Sequence, residues 1–519
     1  MSTDTPSPAS SYDTIPYPTR AQPLVHPERL AAMGTLYGIE AAPVASASVL
    51  ELGCGDGKNL AAVAAAFPGS RCVGCDLSGA AIARGRDFAE RCGLRNLELR
   101  QADVAGDPLP DGPFDYVLCH GLYAWVPEAT RAGILRQCRH QLAPAGIALV
   151  SYDALPGGCV RQAVHRMLRW HVRELPDAVE QVTEARALAR FLTEATPETD
   201  ELGRALRAEL RAALAKESGF FYHDELAGHY APVAFHDFVH AAERQKLRFL
   251  ADGDPAELTG LNVSPEALQL LRAFTDDRVE RQQYFDFLLG RRFHHTLLCR
   301  QECTVAEAPR LDRLDRCWFS AQGRTATPEK LPVRGAVAVF ERPDGARLET
   351  DFLPGKLAMA HLQAANPRRC ALGDLRRIVR EELARHDALD LWTAETRSEL
   401  SRFLLEACAP KIATLHGASP EVQPTAGEWP VAFPVARVQA ADGAEVTSAF
   451  HQMFILEDRW SRELLARADG TRTRARLRED LASLARATTT AADLCTWQRI
   501  EGDFDAALNA LARQGLLIA

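Results

Sequence analysis

The residues that most constrain this chain are Val49-Leu50-Glu51-Leu52-Gly53-Cys54-Gly55-Asp56-Gly57. A short apolar run ends in closely spaced glycines, and a helix-like segment from Asn59 to Phe67 follows. The pattern predicts a strand, a tight turn and a helix. Glycine lets the backbone turn sharply and come close to a ligand. The helix start then aims free N–H groups at an anionic group. Further on, Val73-Gly74-Cys75-Asp76 predicts a second strand ending in a carboxylate. A carboxylate at that place suits the two hydroxyls of a ribose.

The series continues. Leu97 to Asp103 predicts a third strand that ends in an acid, Gln101-Ala102-Asp103. Phe114 to His120 predicts a fourth and Gly146 to Tyr152 a fifth, with helix-like segments between them. On these residues the chain resembles the class I S-adenosylmethionine-dependent methyltransferases. The resemblance implies an α/β fold, a seven-stranded Rossmann-like sheet that binds S-adenosyl-L-methionine. It implies that Gly53, Gly55 and the turn hold the methionine part, that Asp76 serves the ribose, and that Asp103 lies near the adenine amine. It also implies cofactor contacts from Tyr17, Glu51, Cys54, Asp56, Asn59, Leu77, Val104 and His120. A nicotinamide-binding Rossmann domain is the competing reading of the same turn. Against it, the stretch from Glu51 to Gly57 lacks the third spaced glycine of G-x-G-x-x-G.

Composition sets outer limits. A chain of 519 residues has room for about three or four domains. Hydrophobic content of 47% with 25% charged residues predicts a packed globular protein. A net charge of -9 argues against unspecific nucleic-acid binding, for which a basic stripe is expected. Met1 to Ser11 has neither the basic start nor the apolar core of a signal peptide. No uninterrupted apolar run is long enough to span a bilayer. The expectation is a cytoplasmic protein without membrane insertion, its 13 scattered cysteines reduced. Cys72 and Cys75 have C-x-x-C spacing but no second pair. His294 and His295, near Cys299 and Cys303, alternate to opposite faces of a strand. No metal is therefore expected.

Organisation follows from the spacing. Ser11 to Pro18 is a proline-broken arm whose Tyr12 and Tyr17 either pack as a tail or cover the cofactor. His26-Pro27-Glu28 opens a helix with Leu30, Met33, Leu36 and Tyr37 on its apolar side. Residues 12–159 are expected to hold the first part of the methyltransferase sheet. Helical spacing of Val164, Met167, Leu168, Val172 and Leu175, and of Leu202, Leu206, Leu210 and Leu214, marks 160–230 as a helical insertion. That insertion is a regulatory lid or a homodimer contact. Residues 231–305 complete the sheet, with a helix from Pro232 to Arg244, strands at Leu247–Ala251 and Arg292–Arg300, and a second helical insertion between them. Ala336–Phe340 and Arg347–Thr350 flank Pro343-Asp344-Gly345, a hairpin signal. With the helical patterns after it, this predicts a winged-helix-like module over 306–416. Residues 417–442, rich in Pro, Gly and Ala, are expected to be a linker, and 443–519 a second winged-helix-like module. Neither module carries a basic recognition helix, so both are read as protein-interaction modules.

The arm, His120-Gly121-Leu122-Tyr123-Ala124-Trp125-Val126-Pro127, Ser151-Tyr152 with Pro156-Gly157, Tyr222 to Leu226, Tyr284 to Leu288 and Asp458 to Arg462 together resemble a narrower group. These are bacterial methyltransferases carrying a methyltransferase regulatory domain. Its best-understood members act on lysines of outer-membrane proteins, so the resemblance implies a protein substrate of that kind. Relatives tend to read Ser-Tyr-Asn and Pro-Gly-Trp after strand five. This chain reads Ser151-Tyr152-Asp153 and Pro156-Gly157-Gly158, and the change falls on the acceptor side. Ligands bind at the carboxyl ends of parallel strands, which makes His120, Tyr123, Trp125, Tyr152 and Asp153 the catalytic candidates. His120 or Asp153 would take a proton, and the three aromatic residues would line the acceptor channel. Competing roles are core packing for Tyr123 and Trp125, a cofactor hydrogen bond for His120 and a turn aspartate for Asp153. The large accessory modules favour a macromolecular acceptor. A small-molecule methyltransferase and a non-catalytic cofactor-sensing protein are the alternatives.

Overall fold

One sheet organises the N-terminal part of the chain. Its strands are β1 (Ser48–Leu52), β2 (Arg71–Asp76), β3 (Leu97–Gln101), β4 (Phe114–Cys119), β5 (Leu142–Leu155), β6 (Val233–Ala234), β7 (Leu247–Asp252) and β8 (Phe293–Arg300). The structure, a computed structural model, describes residues 13–255, 263–487 and 491–519. Met1 to Ser11, Tyr12 of the arm and residues 256–262 of the second insertion lie outside the described residues. The strand order is β3-β2-β1-β4-β5-β8-β7, with β6 on the end of β5. β8 runs antiparallel between β5 and β7, while β1 to β5 pair in parallel. Both faces of the sheet are covered. This is why β1 reads as a nearly continuous apolar run instead of an alternating one.

Two boundaries move. β5 extends from Leu142 to Leu155, beyond the expected Gly146–Tyr152. The helix expected from Pro232 begins at Phe235, because Val233 and Ala234 pair with Leu155 and its neighbour Ala154 as β6.

The helices are α1 (Pro27–Leu36), α2 (Lys58–Ala66), α3 (Gly79–Arg91), α4 (Glu128–Gln141), α5 (Cys159–His171), α6 (Ala178–Ala195), α7 (Glu201–Leu214), α8 (Ser218–Glu225), α9 (Phe235–Arg244), α10 (Pro265–Phe274) and α11 (Arg278–Leu289). α5 to α8 form the helical insertion and bury much of their apolar stripes against one another. Val164, Leu168 and Val172 meet Val182, Ala185, Leu210 and Phe221. Met167 and Leu202, also on the expected stripes, stay 38% and 62% exposed. In the second insertion, Asp277 caps α11 by accepting from the N–H groups of Val279 (2.7 Å) and Glu280 (2.9 Å). Asp277→Ala is expected to lower stability by about 1 kcal/mol, the usual cost of a lost N-cap, read by urea unfolding.

The middle module carries the expected hairpin, Ala338–Glu341 with Arg347–Thr350, paired antiparallel as Phe340 with Leu348. A three-stranded sheet lies beside it, Trp318–Ala321 between Cys370–Ala371 and Ala413–His416. Phe319, Phe340 and Leu375 share one apolar core with Leu30 and Met33 of α1 and with Val49, Leu118, Leu149 and Leu297 of the main sheet. The module is thus packed onto one sheet face. The opposite face meets Ile134 and Leu135 of α4 and Phe235 and Phe238 of α9.

The expected linker is only partly a linker. Pro434–Asp442 is a helix that buries Val435, Ala436, Val438 and Ala440. Proline at its first position is preorganised for a helix start, and alanine has high helix propensity. A composition that reads as linker therefore folds as the first helix of the C-terminal module. That module continues through an antiparallel pair, Glu445–Thr447 with Met453–Ile455, and the helices Arg459–Arg467, Arg474–Arg486, Ala491–Gly502 and Phe504–Arg513. Its core around Trp460, Leu477 and Leu508 also takes in Ala61 of α2 and Phe88 of α3. Among the described residues no helix is long and apolar enough to cross a membrane. Among them, too, no group of three His, Cys, Asp or Glu is placed to hold a metal ion.

Candidate functional site

Where β1 ends, Gly53, Gly55 and Gly57 adopt φ of +73°, +58° and +71°. Side chains rarely accept this left-handed region. The N–H groups of Gly53 and Cys54 donate to the Cys75 carbonyl at 2.8 and 3.1 Å, which ties the turn to the end of β2. Asp76 closes the tie. Its Oδ2 accepts from the Gly55 N–H at 2.8 Å and its Oδ1 from the Ser78 N–H at 2.9 Å. Burial raises the Asp76 carboxyl above its ordinary range. Space over the turn is short. A Cβ on Gly55 would stand 2.5 Å from Thr19 Cγ2.

The arm therefore reaches the turn through Thr19, whose hydroxyl donates to Asp56. Lys58 Nζ pairs with Asp56 at 3.0 Å. Tyr17 packs edge-on to Phe220 (5.2 Å) and His223 (5.7 Å) of α8, against the insertion. Cys54 is buried under the turn and Leu77 is exposed. The Ala102 N–H donates to the Asp76 carbonyl at 2.9 Å, bringing the end of β3 beside Asp76. Asp103 is exposed just past that end, accepting from the Ala105 N–H at 2.9 Å, and Val104 is buried next to it. Gly55 and Asp76, with the strand end that carries Asp103, thus lie at one edge of the sheet.

Glu51 sits beneath the turn. Asn59 Nδ2 donates to its Oε1 at 3.1 Å, while Oε2 is buried without a partner among the described residues. Burial pushes its carboxyl up to about 8, against the pull of Asn59. The folded protein then keeps a proton that the unfolded chain releases near 4.5. The stabilisation is present below the unfolded value and is lost as pH rises toward 8. Wild type and Glu51→Gln should therefore unfold alike near pH 4.5. At about pH 9 the variant should be more stable by a few kcal/mol, as read by urea unfolding in each buffer.

Strand register sets the acceptor side. Glu51 pairs with Leu118 and Ser151 with His295, so Gly53, His120, Ser151 and His295 follow one row across the sheet. His120 Nδ1 lies 2.8 Å from Ser151 Oγ, which accepts from the Gly121 N–H at 2.8 Å. The His120 ring stacks on His295 at 5.8 Å, with Phe293 at 6.1 Å. Burial lowers the His120 pKa to about 3, so the imidazole is neutral. A group so weakly basic makes a poor proton acceptor near neutral pH.

Alternation along β5 turns Tyr152 to the opposite face from Ser151. Tyr152 is fully buried there, its hydroxyl 3.1 Å from Thr296 Oγ1 and its ring stacked on Phe238 at 4.4 Å. Tyr123 is buried edge-on to the same Phe238 at 5.1 Å. Both tyrosines are core residues, not walls of an open channel. Asp153 is buried in an ion pair with Arg161 at 2.6 Å and accepts from the Tyr230 hydroxyl at 3.1 Å. Trp125 stacks on Tyr230 at 4.4 Å, and the Arg161 guanidinium lies over both rings at 5.1 and 5.3 Å. Asp153 is thus a partner of Arg161 and Tyr230, both through Oδ1. His294 is buried between Asp252 and Asp286, away from His295. The sequence reading missed Thr19, Ser151, Phe293, Arg161 and Tyr230. Strand alternation could have paired Ser151 with His120; nothing local marks the others.

Fold and site define a Rossmann-like domain of the methyltransferase kind, extended by helical and winged-helix modules. Residues 49–146 match the family model of a methyltransferase domain, 218–300 a predicted methyltransferase regulatory domain, and 428–516 the PKMT C-terminal winged helix domain. The regulatory match takes in α8, the last helix of the 160–230 insertion, together with the strands that complete the sheet. The winged-helix match begins before Pro434, in line with the helix found there. In detail, the chain is similar to an uncharacterised protein of Rickettsia prowazekii, 30% identical over 295 residues, 57% of this chain and 53% of that protein. It spans about half the length of that relative. PKMT2 from Rickettsia typhi has the same overall fold, with a TM-score of 0.83 at 23% identity over 97% of this chain and 100% of that one. Its complex with AdoHcy gives 0.81 at 23% identity, again over 97% and 100%.

Proposed function

We propose that this chain is an S-adenosylmethionine-dependent methyltransferase that modifies a protein lysine. The single observation that carries the cofactor reading is the left-handed glycine turn with Asp76 bonded to the Gly55 N–H. The cradle has no room for side chains on its glycines, and the buried Glu51 Oε2 beneath it lacks a partner among the described residues. Such a set suits a ligand that carries hydroxyls and positive charge. Asp76 would hold the sugar, the Gly53–Gly57 turn the amino-acid part, and the segment just after β3, with Asp103 and Val104, the base. The AdoHcy complex of the PKMT2 neighbour supports the same reading. The PKMT winged-helix match, PKMT standing for protein lysine methyltransferase, supports the acceptor.

S-adenosylmethionine, when bound, supplies a methyl on a sulfonium, which an acceptor lone pair displaces in line. The protein's part is mostly positioning. A lysine amine must be neutral to attack, and a half-buried wall of His120, Phe293 and His295 would lower its pKa by desolvation. The rings also favour a cation as it approaches. An acceptor on an outer-membrane or surface protein, a homodimer contact through the helical insertion, and a cytoplasmic site of action belong to the same proposal. The 13 unpaired cysteines support the last, and the exposed Trp170 and Phe191 of the insertion support a contact there.

The test incubates purified protein with methyl-labelled cofactor and whole-cell extract. Label on a protein band, recovered as methyllysine, is the expected result. Label only in small molecules would replace the acceptor class. Cofactor binding with no transfer would leave a sensor.

A further inference from the structure

A run of buried polar groups leaves the glycine turn and ends in the two accessory modules. Asn59, at the start of α2, stands at its near end. Its Oδ1 accepts from the Gln22 N–H at 3.1 Å and lies 2.9 Å from His451 Nε2. Its Nδ2 donates to Glu51 at 3.1 Å. The Gln22 N–H on one side and the accepting Glu51 Oε1 on the other fix the orientation of the amide, since a flip would set NH₂ against the Gln22 N–H. His451 must then carry its proton on Nε2.

His451 comes from the C-terminal module, far along the chain from the pocket. It is buried, at a φ of +61°. A histidine in the left-handed region is uncommon, and such a conformation persists where the surroundings over-determine it. The surroundings here are themselves fixed. The His451 ring is edge-on to His26 at 4.7 Å. His26 Nδ1 accepts from the Glu28 N–H at 3.1 Å, and Glu28 in turn bonds His416 (2.9 Å) and Arg369 (3.3 Å) of the middle module. The arm is clamped in the same place. Arg20, two residues before Gln22, binds Glu445 through Nε (3.0 Å) and Nη2 (2.6 Å), and Glu217 at 3.0 Å.

We infer that His451 is a positioning residue of the cofactor pocket, holding Asn59 and through it the Glu51 carboxyl group beneath the glycine turn. The C-terminal module then completes the pocket from behind. A purely interaction-type module would be expected to act only on the acceptor. This rests on the reading of the pocket as the S-adenosylmethionine site.

The test measures S-adenosylhomocysteine binding to the full chain by calorimetry, with melting of the unliganded protein as a check on folding. His451→Asn suits the left-handed backbone but has a shorter side chain, so it should fold and lose the contact. Its affinity should fall five- to twentyfold. His451→Gln, with an amide donor and longer reach, should recover most of it. The losses from His451→Asn and Asn59→Ala should not multiply in the double variant, because both remove one link. A His451→Asn protein that binds like wild type, losses that multiply, or no recovery with Gln would overturn the assignment. Wild-type protein that binds no S-adenosylhomocysteine would overturn the cofactor reading together with this one.

Discussion

Asp76→Ala is expected to weaken S-adenosylhomocysteine binding about a hundredfold, ~2.7 kcal/mol. Two losses combine. A carboxylate that bonds ligand hydroxyls contributes more than a neutral partner, about 1.5–3 kcal/mol. The same carboxylate holds the Gly55 and Ser78 N–H groups, so its removal also loosens the turn that should meet the ligand. Asp76→Asn separates the two. The amide keeps one oxygen for one N–H, so it should bind better than Ala and worse than wild type. Calorimetry on the three proteins reads the order directly. Equal affinity in all three would move the ligand off this edge of the sheet.

The second large effect is on stability. Arg161→Leu should lower the unfolding free energy by about 3–5 kcal/mol, the usual cost of leaving a buried charge without its partner. Arg161 stands 2.6 Å from Asp153 and 3.6 Å from Asp224, and its guanidinium covers Trp125 and Tyr230. Without it, Asp153 keeps, among the described residues, the Tyr230 hydroxyl. Adding Asp153→Asn to Arg161→Leu should restore a good part of the loss, since the stranded charge is gone. Urea unfolding of the two variants decides. If the double variant is no more stable than the single, the damage lies in the lost packing over the aromatic rings and not in the charge.

These two sites differ in how far the sequence discloses them. Asp76 is legible because a glycine turn, a short helix and a strand in succession leave few places for its carboxylate. The same local logic gives β1 to β5 in succession, but not the place of β8 between β5 and β7. Asp153 is visible as a carboxylate on the acceptor side, but its partner is not. No periodicity ties it to Arg161 on the next helix or to Tyr230 beyond the insertion. Tyr152 shows a different failure. Its place at the expected end of the fifth strand suggested the pocket, yet a period of two sends it to the face opposite Ser151. Helix 434–442 failed because proline and alanine serve both linkers and helix starts. His451 and Asn59 meet only once the C-terminal module is docked on α2, a contact that no local pattern encodes.

The placement of β8 bears on how the chain reaches this state. Leu149 on β5 finds its neighbour Leu297 only after both insertions have been synthesised. Until then one margin of the growing sheet stays unpaired, and such margins recruit other chains. Contacts this distant in sequence slow productive collapse. A fragment that stops before β8 should accordingly precipitate on expression, however intact its glycine turn.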